Sequence, residues 1–205
     1  MLPSLAFLLA ALVLAVTPGP GIAYVVARTA AGGRAEGLAS CVGTGLGGLF
    51  HVCAAALGLS VLLAQSATAF TVVKYVGAAY LVYLGVRLLL VKAPVAVGAV
   101  VPGGARRALL EGVLVEALNV KTALFFLAFL PQFLVGGNAP VPQLVVIGTI
   151  CVLLNTLVDV GTVFGAARLL QAGHSARRRA SLLNKVSGVT LVGLGLYVAT
   201  ARRGS

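Results

Sequence analysis

The stretch LVLAVTPGPGIAYVVA, residues 12–27, decides how this chain folds. It is apolar at both ends and carries the motif TPGPG at residues 17–21. The two prolines of the motif have no backbone N–H, so the carbonyl groups of Leu14 and Val16 lose the partners they would have in a continuous helix. The motif therefore predicts an interrupted helix, with free carbonyls on one side and the positive N-terminal end of a second half-helix on the other.

The whole chain of 205 residues is as apolar as this stretch. Hydrophobic residues make up 60% of it and charged residues 9%, with a mean hydropathy of +1.09, whereas soluble domains have roughly 45–50% and 25%. In lipid, an interrupted backbone is tolerated only where it lines a cavity or meets partners inside the protein. The composition excludes a soluble domain and predicts an integral membrane protein in contact with lipid.

Six apolar segments reach the length of about 20 residues that a helix needs to cross about 30 Å of hydrocarbon. They cover about residues 4–27, 38–64, 69–91, 110–135, 143–169 and 182–201. Arg and Lys concentrate in the first, third and fifth connections, so the positive-inside rule places these connections in the cytoplasm and both termini outside. The net charge of +11 is then a topology signal and does not indicate a nucleic-acid partner.

The longest connection, residues 93–108, divides the six spans into two sets of three. Because three is odd, the sets face opposite directions, an arrangement typical of inverted repeats in secondary transporters. Matching motifs support it: K-x-x-G at residues 74–77 and 185–188, and G-x-x-x-G at residues 43–47 and 161–165. The predicted fold class is all-α integral membrane, with six transmembrane helices in two inverted three-helix repeats, residues 1–92 and 109–205.

The fourth span carries a second polar interruption, Asn119-Val120-Lys121-Thr122. A lysine at the bilayer centre costs about 2.5–3.5 kcal/mol, so Lys121 must face a partner or water. We expect Lys121 and Asn119 to meet the interruption of the first span. The alternative is that Lys121 pairs with a carboxylate and only holds the bundle together.

Further polar side chains lie within the other spans. Asp159 and Asn155 are four residues apart and share one helical face. Asp159 is the best candidate for a proton carrier or ammonium ligand, because its ionisation would depend on what lies beside it. His51 titrates near neutral pH when unperturbed and is a second candidate, with a hydrogen-bonded structural role as the alternative.

Two other features have open or structural interpretations. Tyr80, in the third span, belongs either to a pocket wall or to helix packing. Glu111 and Glu116 are expected in the first turns of the fourth helix at its cytoplasmic end. The helix dipole stabilises acidic side chains at such a position, so the sequence predicts a structural role for both.

Several motifs occur together in one order along the chain. They are Thr17-Pro18-Gly19-Pro20, the stretch from Gly37 through Gly43, Gly47 and His51 to Leu59, Lys74 to Gly85, Asn119-Val120-Lys121, Leu130-Pro131-Gln132-Phe133, Asp159, and Asn184 to Gly195. On these motifs the chain resembles the LysE/RhtB family of bacterial amino-acid exporters over nearly its whole length. Members commonly have a polar residue at the position of Gly21 and a proline at that of Val120, so the substrate does not follow from the resemblance.

The resemblance implies a transporter, not an enzyme, that exports amino acids or similar small zwitterions across the bacterial plasma membrane. It implies a proton gradient as the driving force and no cofactor, and it leaves a homodimer open. The expected substrate-binding residues are Thr17, Pro18, Gly19, Pro20, Gly21, Tyr80, Asn119 and Lys121. The expected proton-coupling residues are His51, Asn155 and Asp159.

Three other functions come into question, and a divalent-metal or other small-cation exporter of related membrane architecture is the main alternative. A thiol-disulfide carrier needs paired reactive cysteines, and Cys41, Cys53 and Cys151 lie away from both interruptions. A divalent-metal exporter needs several converging His, Asp or Glu side chains, for which only His51 and Asp159 are available within the spans. An intramembrane protease needs a Ser/His or paired-Asp constellation, and none stands out.

Overall fold

The computed structural model describes residues 4–59, 67–90, 101–134, 140–171 and 173–200, and within them the chain is helical. The predicted all-α class is thereby confirmed. The helices are α1 Leu5–Val16, α2 Pro20–Ala54, α3 Ala67–Leu90, α4 Gly104–Ala117, α5 Val120–Ala128, α6 Pro140–Gln171 and α7 Gly173–Thr200. A π-helical turn, Ala55–Leu59, extends α2, and a 3₁₀ turn, Leu130–Phe133, follows α5.

The first interruption separates α1 from α2. Ser4 caps the start of α1 by accepting the N–H of Phe7 at 3.2 Å, and the helix ends at Thr17, whose backbone is extended. Gly19 is extended as well, and Pro20 occupies the first helical position of α2, where its missing N–H costs nothing. The helix therefore breaks within the TPGPG motif, as the sequence predicts.

The first predicted connection is a kink instead of an irregular loop. The sequence analysis expected separate spans at residues 4–27 and 38–64, but helix α2 runs through the residues between them and bends at Gly33. Gly33 has φ 72° and ψ −166°, a backbone conformation that glycine adopts without steric cost. Two helical segments therefore meet at this single residue.

The second interruption lies between α4 and α5, at Leu118 and Asn119. The two helices bend by 47° at this point, although no proline is present. Asn119 has an extended backbone, and its Oδ1 accepts the N–H of Lys121 at 3.1 Å, so its side chain caps the start of α5. An Asn cap thus produces the break for which the sequence offered no proline.

Two of the described helical segments are long and apolar enough to cross a membrane, Pro20–Gly58 and Val141–Gly165. A third is obtained if Gly104–Ala117 and Val120–Phe133 are counted as one broken span. Leu5–Val16 and Gly188–Thr200 are shorter apolar helices. Large aliphatic side chains point outward, among them Leu57 at 70% and Leu157 at 67% exposure, which fits a surface that meets lipid.

The larger buried cluster combines aromatic side chains with small aliphatic ones. Phe125, Phe126 and Phe129 of the α5 segment are buried with Phe7 of α1. The rings of Phe125 and Phe129 stack with centroids 4.6 Å apart. The ring of Phe7 also packs edge-on against that of Phe133, with centroids 5.5 Å apart, so aromatic side chains connect α1 with the 3₁₀ turn that follows α5.

Glycines set the close approach of α2 to α4. A Cβ on Gly43 would collide with the carbonyl oxygen of Leu109, and one on Gly47 would lie 2.6 Å from the carbonyl oxygen of Val113. The G-x-x-x-G pair of α2 therefore forms a close helix contact. The pair Gly161 and Gly165 has open space around it and forms no such contact within the described residues.

The contacts also give the directions of the helices. Contacts advance together along α2 and α4, which are therefore parallel: Gly43 meets Leu109, and Gly47 meets Val113. Helices α3 and α7 are antiparallel, because Gly85 lies against Gly188 and Ala78 against Gly195. Helices α2 and α6 are antiparallel too, with Gly45 against Thr156 and Gly48 against Val152.

We expect Gly43→Ala to destabilise the protein and Gly161→Ala to leave it nearly unchanged. The added methyl group at Gly43 meets backbone atoms of Leu109, which cannot move aside as a side chain can. At Gly161 the methyl group enters open space in a helix, where alanine is preferred to glycine by roughly 1 kcal/mol. Thermal unfolding of both variants in mild detergent measures the difference, and equal midpoints would contradict the packing described here.

Candidate functional site

Lys121 joins the two interruptions. Its Nζ donates hydrogen bonds to the carbonyl oxygens of Leu14 at 3.3 Å and Thr17 at 3.0 Å. These carbonyls belong to the end of α1, and Leu14 is one of the two that the prolines were expected to free. The second carbonyl that accepts from Lys121 is that of Thr17, whereas the sequence predicted that of Val16 to be free. The side chain is 8% exposed, and its Nζ lies 3.0 Å from the position of a Cβ on Gly19. Glycine at this position therefore leaves the space that the ammonium group uses.

Glu116 lies at the second interruption, which corrects its predicted position. Helix α4 begins at Gly104, earlier than the predicted span, and the break at residues 118–119 ends it, so Glu116 falls in its last turn. Its Oε2 accepts from Asn119 Nδ2 at 2.9 Å, and its Oε1 accepts from Thr122 Oγ1 at 2.6 Å. The side chain is 1% exposed. The predicted span begins at residue 110, later than the helix itself, and for that reason the sequence places Glu116 at the wrong end of the helix.

His51 fixes the end of α4. Its Nε2 lies 2.8 Å from the backbone oxygen of Glu116, and because a carbonyl only accepts, the histidine nitrogen is the donor. This oxygen is one of the last carbonyls of α4, which have no partner within the helix. The ring also packs near Phe126, with centroids 6.0 Å apart. The contacts match the structural alternative for His51, and its role in proton coupling stays a prediction.

Asp159 is buried on α6 and faces α2. Its Oδ2 lies 2.9 Å from Thr44 Oγ1, and its Oδ1 has no hydrogen-bond partner within the described part of the chain. Thr44 Oγ1 also lies 3.0 Å from the carbonyl oxygen of Cys41. One hydroxyl proton thus faces two acceptors. Either Thr44 donates a hydrogen bond to the carboxylate, or it donates to the carbonyl oxygen of Cys41 and accepts a hydrogen bond from neutral Asp159.

A cleft connects these groups. It lies between the end of α1, the second interruption, α2 and α6, and its lining includes Leu14, Thr44, Gly48, Glu116, Thr122 and Asn155. Asn155 is half-buried there, one turn before Asp159. Asn155 and the second interruption, which carries Lys121, therefore meet at one site. Asp159 lies beside this site and contacts it through Thr44.

Tyr80 and Gly21, which are both predicted to bind the substrate, differ in their contacts with the site. Tyr80 is half-buried on α3, and its ring packs at 6.0 Å from that of Tyr83 on the same helix. No described hydrogen bond or ring contact joins Tyr80 to the cleft, so its role in binding stays a prediction. Gly21, by contrast, lies directly at the site, because a Cβ on it would be 2.7 Å from Glu116 Oε2.

Arg28 is the centre of a second polar network, which the sequence analysis did not foresee. Its guanidinium is 1% exposed and forms ion pairs with Glu36 at 3.2 Å and with Glu111. It also donates to Tyr24 Oη at 3.0 Å and to the carbonyl oxygen of Val101 at 3.2 Å. The network ties both arms of the kinked helix α2 to α4 and to the residues before it.

Glu36 and Glu111 complete the network around Arg28. Glu36 accepts the backbone N–H groups of Gly103 and Gly104, at 3.0 and 2.7 Å. Glu111 also accepts from Arg107 Nε at 2.7 Å, so its role is structural, as expected, but through ion pairs. The sequence contained one signal for this network, the scarcity of acidic residues. The chain has four, and the structure places two of them in the network of Arg28 and the other two at or beside the cleft.

The residues that the structure describes include no group of three or more His, Cys, Asp or Glu side chains that could hold a metal ion. Cys41 and Cys151 are buried and Cys53 is exposed, and all three are free thiols. The polar side chains that line the cleft are instead one carboxylate, one amide and three hydroxyl groups, set among apolar side chains, and Lys121 and Asp159 lie beside them. These are hydrogen-bonding and charged groups suited to a small polar solute.

The fold and the site combine apolar helices of an integral membrane protein with two helix breaks that a buried lysine bridges, an arrangement that occurs in transporters. The profile of the family described as LysE type translocator matches residues 12–202, and the chain belongs to this family. It is thus a transporter and not an enzyme.

The chain is similar to several bacterial membrane proteins. An uncharacterised membrane protein of Vibrio cholerae is 33% identical, with 97% of each chain covered. A homoserine/homoserine lactone efflux protein of Salmonella typhimurium is 28% identical, with 96% of each chain covered. A leucine efflux protein of Salmonella choleraesuis is 31% identical over 62% of this chain and 61% of its own. No solved structure matches the chain.

Proposed function

We propose that this protein exports amino acids or similar small zwitterions from the cytoplasm by proton antiport. The observation that carries the proposal is the position of Lys121, whose buried ammonium group bridges the two helix breaks beside a polar cleft. The names of the Salmonella relatives, which concern efflux of homoserine and of leucine, support this substrate class.

The substrate carboxylate is bound by Lys121, at the N-terminal end of the half-helix that begins at Pro20. Both the Lys121 ammonium group and this helix end attract a carboxylate. The ammonium carries a full positive charge, and the first N–H groups of α2 have no acceptor within the helix. Gly19 and Gly21 keep this end of the helix free of side chains. Lys121 itself donates to the carbonyl oxygens of Leu14 and Thr17.

Asp159 carries the exchanged proton. Its unpartnered Oδ1 and the shared hydroxyl of Thr44 support this role, because both protonation states of the carboxyl have a hydrogen-bonding arrangement in place. Protonation of Asp159 removes a negative charge next to the site and weakens the binding of an ammonium group. Inward proton movement then drives outward movement of the substrate.

The proposed architecture is the predicted one, six membrane-spanning helices in two inverted repeats, residues 1–92 and 109–205, joined by residues 93–108. The helix directions support it, since second and fourth spans of such a protein run parallel, and third and sixth spans run antiparallel. A broken helix near the start of each half supports it as well. We place the protein in the bacterial plasma membrane with both termini outside, and rocking of one half against the other gives alternating access.

The test is transport by the purified protein in proteoliposomes. We expect counterflow of labelled leucine or homoserine, and accumulation of the same amino acid when a pH gradient is imposed. Asp159→Asn should retain counterflow but lose accumulation driven by the gradient, because the amide cannot take up a proton. Asp159→Glu keeps a carboxyl group and should recover part of the coupling.

Two results would contradict the proposal. Wild-type protein that exchanges no amino acid of a broad panel would refute the substrate class. Asp159→Asn protein that accumulates substrate as well as the wild type would refute the role of Asp159 in proton coupling.

A further inference from the structure

Glu116 is a buried carboxylate that forms no ion pair within the described part of the chain. It is 1% exposed and lines the cleft, and its two hydrogen-bond donors, Asn119 and Thr122, are both neutral. Among the described residues, the ion pairs of the protein involve Glu36 and Glu111 but not Glu116. A buried carboxylate is costly unless a positive group compensates it. A cationic group that reached Glu116 would therefore compensate its charge.

The carboxylate also has unused capacity to accept hydrogen bonds. Each of its oxygens accepts one side-chain hydrogen bond, whereas a carboxylate oxygen has two lone pairs. Asn119 lies at the second interruption and Thr122 just after it, so the residues of the break orient the carboxylate. Gly21 lies against Oε2 and offers no side chain that could cover it.

Lys121 and Glu116 have opposite charges and lie on the two sides of the same break, yet each is bound to other groups. Lys121 is held by carbonyls of the first interruption, and Glu116 is held by side chains of the second. A zwitterion brings one negative and one positive group, the complement of this pair. Binding would satisfy both charges without adding any net charge to the membrane interior.

We propose that Glu116 binds the ammonium group of the substrate while Lys121 binds its carboxylate, so that Glu116 selects amino acids against acids that lack the amino group. This inference rests on the proposed function, the transport of small zwitterions. Asp159 remains the proton site, one helix away behind Thr44. The two buried acids of the cleft region thus have separate tasks, recognition and coupling.

The decisive experiment compares an amino acid with its hydroxy analogue as competitors of labelled leucine counterflow in proteoliposomes. Leucine and 2-hydroxy-4-methylpentanoate differ at the amino group alone. We expect the wild type to prefer leucine. In Glu116→Gln the affinity for leucine should fall by about tenfold or more, the loss of a charge-assisted hydrogen bond, while that for the hydroxy acid changes little.

Two further variants keep the test decisive. Glu116→Asp retains the charge and should keep the preference for leucine, although the shorter side chain binds more weakly. Gly21→Ala leaves Glu116 itself unchanged, but its methyl group crowds Oε2 and should reduce the preference for leucine. Because alanine is favoured over glycine in a helix, this variant tests the site even if Glu116→Gln does not fold.

The outcomes separate the inference from the function on which it rests. Wild-type protein that exchanges neither leucine nor homoserine refutes the proposed function, and the inference falls with it. Normal exchange by the wild type, together with an unchanged preference for leucine in folded Glu116→Gln, refutes the role of Glu116 alone. If Glu116→Gln does not fold, an unchanged preference in Gly21→Ala refutes it in the same way.

Discussion

Replacement of Lys121 by methionine is expected to reduce amino-acid counterflow to the background of empty liposomes. The variant keeps the length of the apolar stem but removes the ammonium group that bridges the two interruptions. The carbonyl of Thr17 then loses its donor, which costs about 1–3 kcal/mol for a buried group left without a partner, whereas the carbonyl of Leu14 still accepts the backbone N–H of Thr17 at 3.3 Å. The substrate carboxylate loses its positive partner at the same time.

The matched control is Lys185→Met, which removes the same charge from an exposed position on α7. It should transport like the wild type. Lys121→Arg should also be strongly impaired, because the Nζ of Lys121 already lies 3.0 Å from the position of a Cβ on Gly19, and a guanidinium needs more room. Counterflow by Lys121→Met at more than half of the wild-type rate would contradict a role of this lysine in substrate binding.

Replacement of Arg28 by methionine is expected to cause the largest loss of stability among substitutions of charged residues outside the cleft. It leaves Glu36 buried without its ion pair and removes the connection from α2 to Val101 and Glu111. Removing one partner of a buried ion pair is strongly destabilising, because the other charge stays buried. The midpoint of thermal unfolding in mild detergent should fall by several degrees, at about 2–4 °C for each kcal/mol lost in a chain of this size.

Arg106→Met is the control for this measurement. Arg106 lies on the same segment of α4 as the network but is exposed, so its loss should shift the midpoint by no more than about 1 °C, as expected of a surface charge. The double variant Arg28→Met with Glu36→Gln should recover part of the lost stability, since the stranded charge is then gone. Equal midpoints for Arg28→Met and Arg106→Met would show that the network does not stabilise the fold.

The first interruption could be predicted because its cause is local. Two prolines and two glycines within five residues cannot continue a helix, whatever surrounds them. In the fourth span, the cost of placing Lys121 in hydrocarbon predicted that this side chain must face a partner or water, and in the structure an Asn cap breaks the helix beside it. Both inferences use properties of a few neighbouring residues, and for that reason they hold without knowledge of the packing.

The position of Glu116 could not be predicted in the same way. Its depth depends on where α4 begins, and helix starts are poorly defined by sequence when, as at Gly103, no side chain caps them. The network of Arg28 joins residues more than 70 positions apart, from Arg28 to Val101 and Glu111. From the sequence, the arginine of this network was interpreted as part of a topology signal, and Glu111 as an acid stabilised by the helix dipole.

Composition and local backbone chemistry were sufficient to establish a helical membrane protein, two helix breaks and a lysine that must find a partner. Which carbonyls receive that lysine, which glutamate enters the cleft, and which glycine pair forms a close contact depended on how distant helices pack. The physical reason is that apolar surface and proline act over one or two helical turns, whereas a buried charge is stabilised only by groups that the folded chain brings within hydrogen-bonding distance.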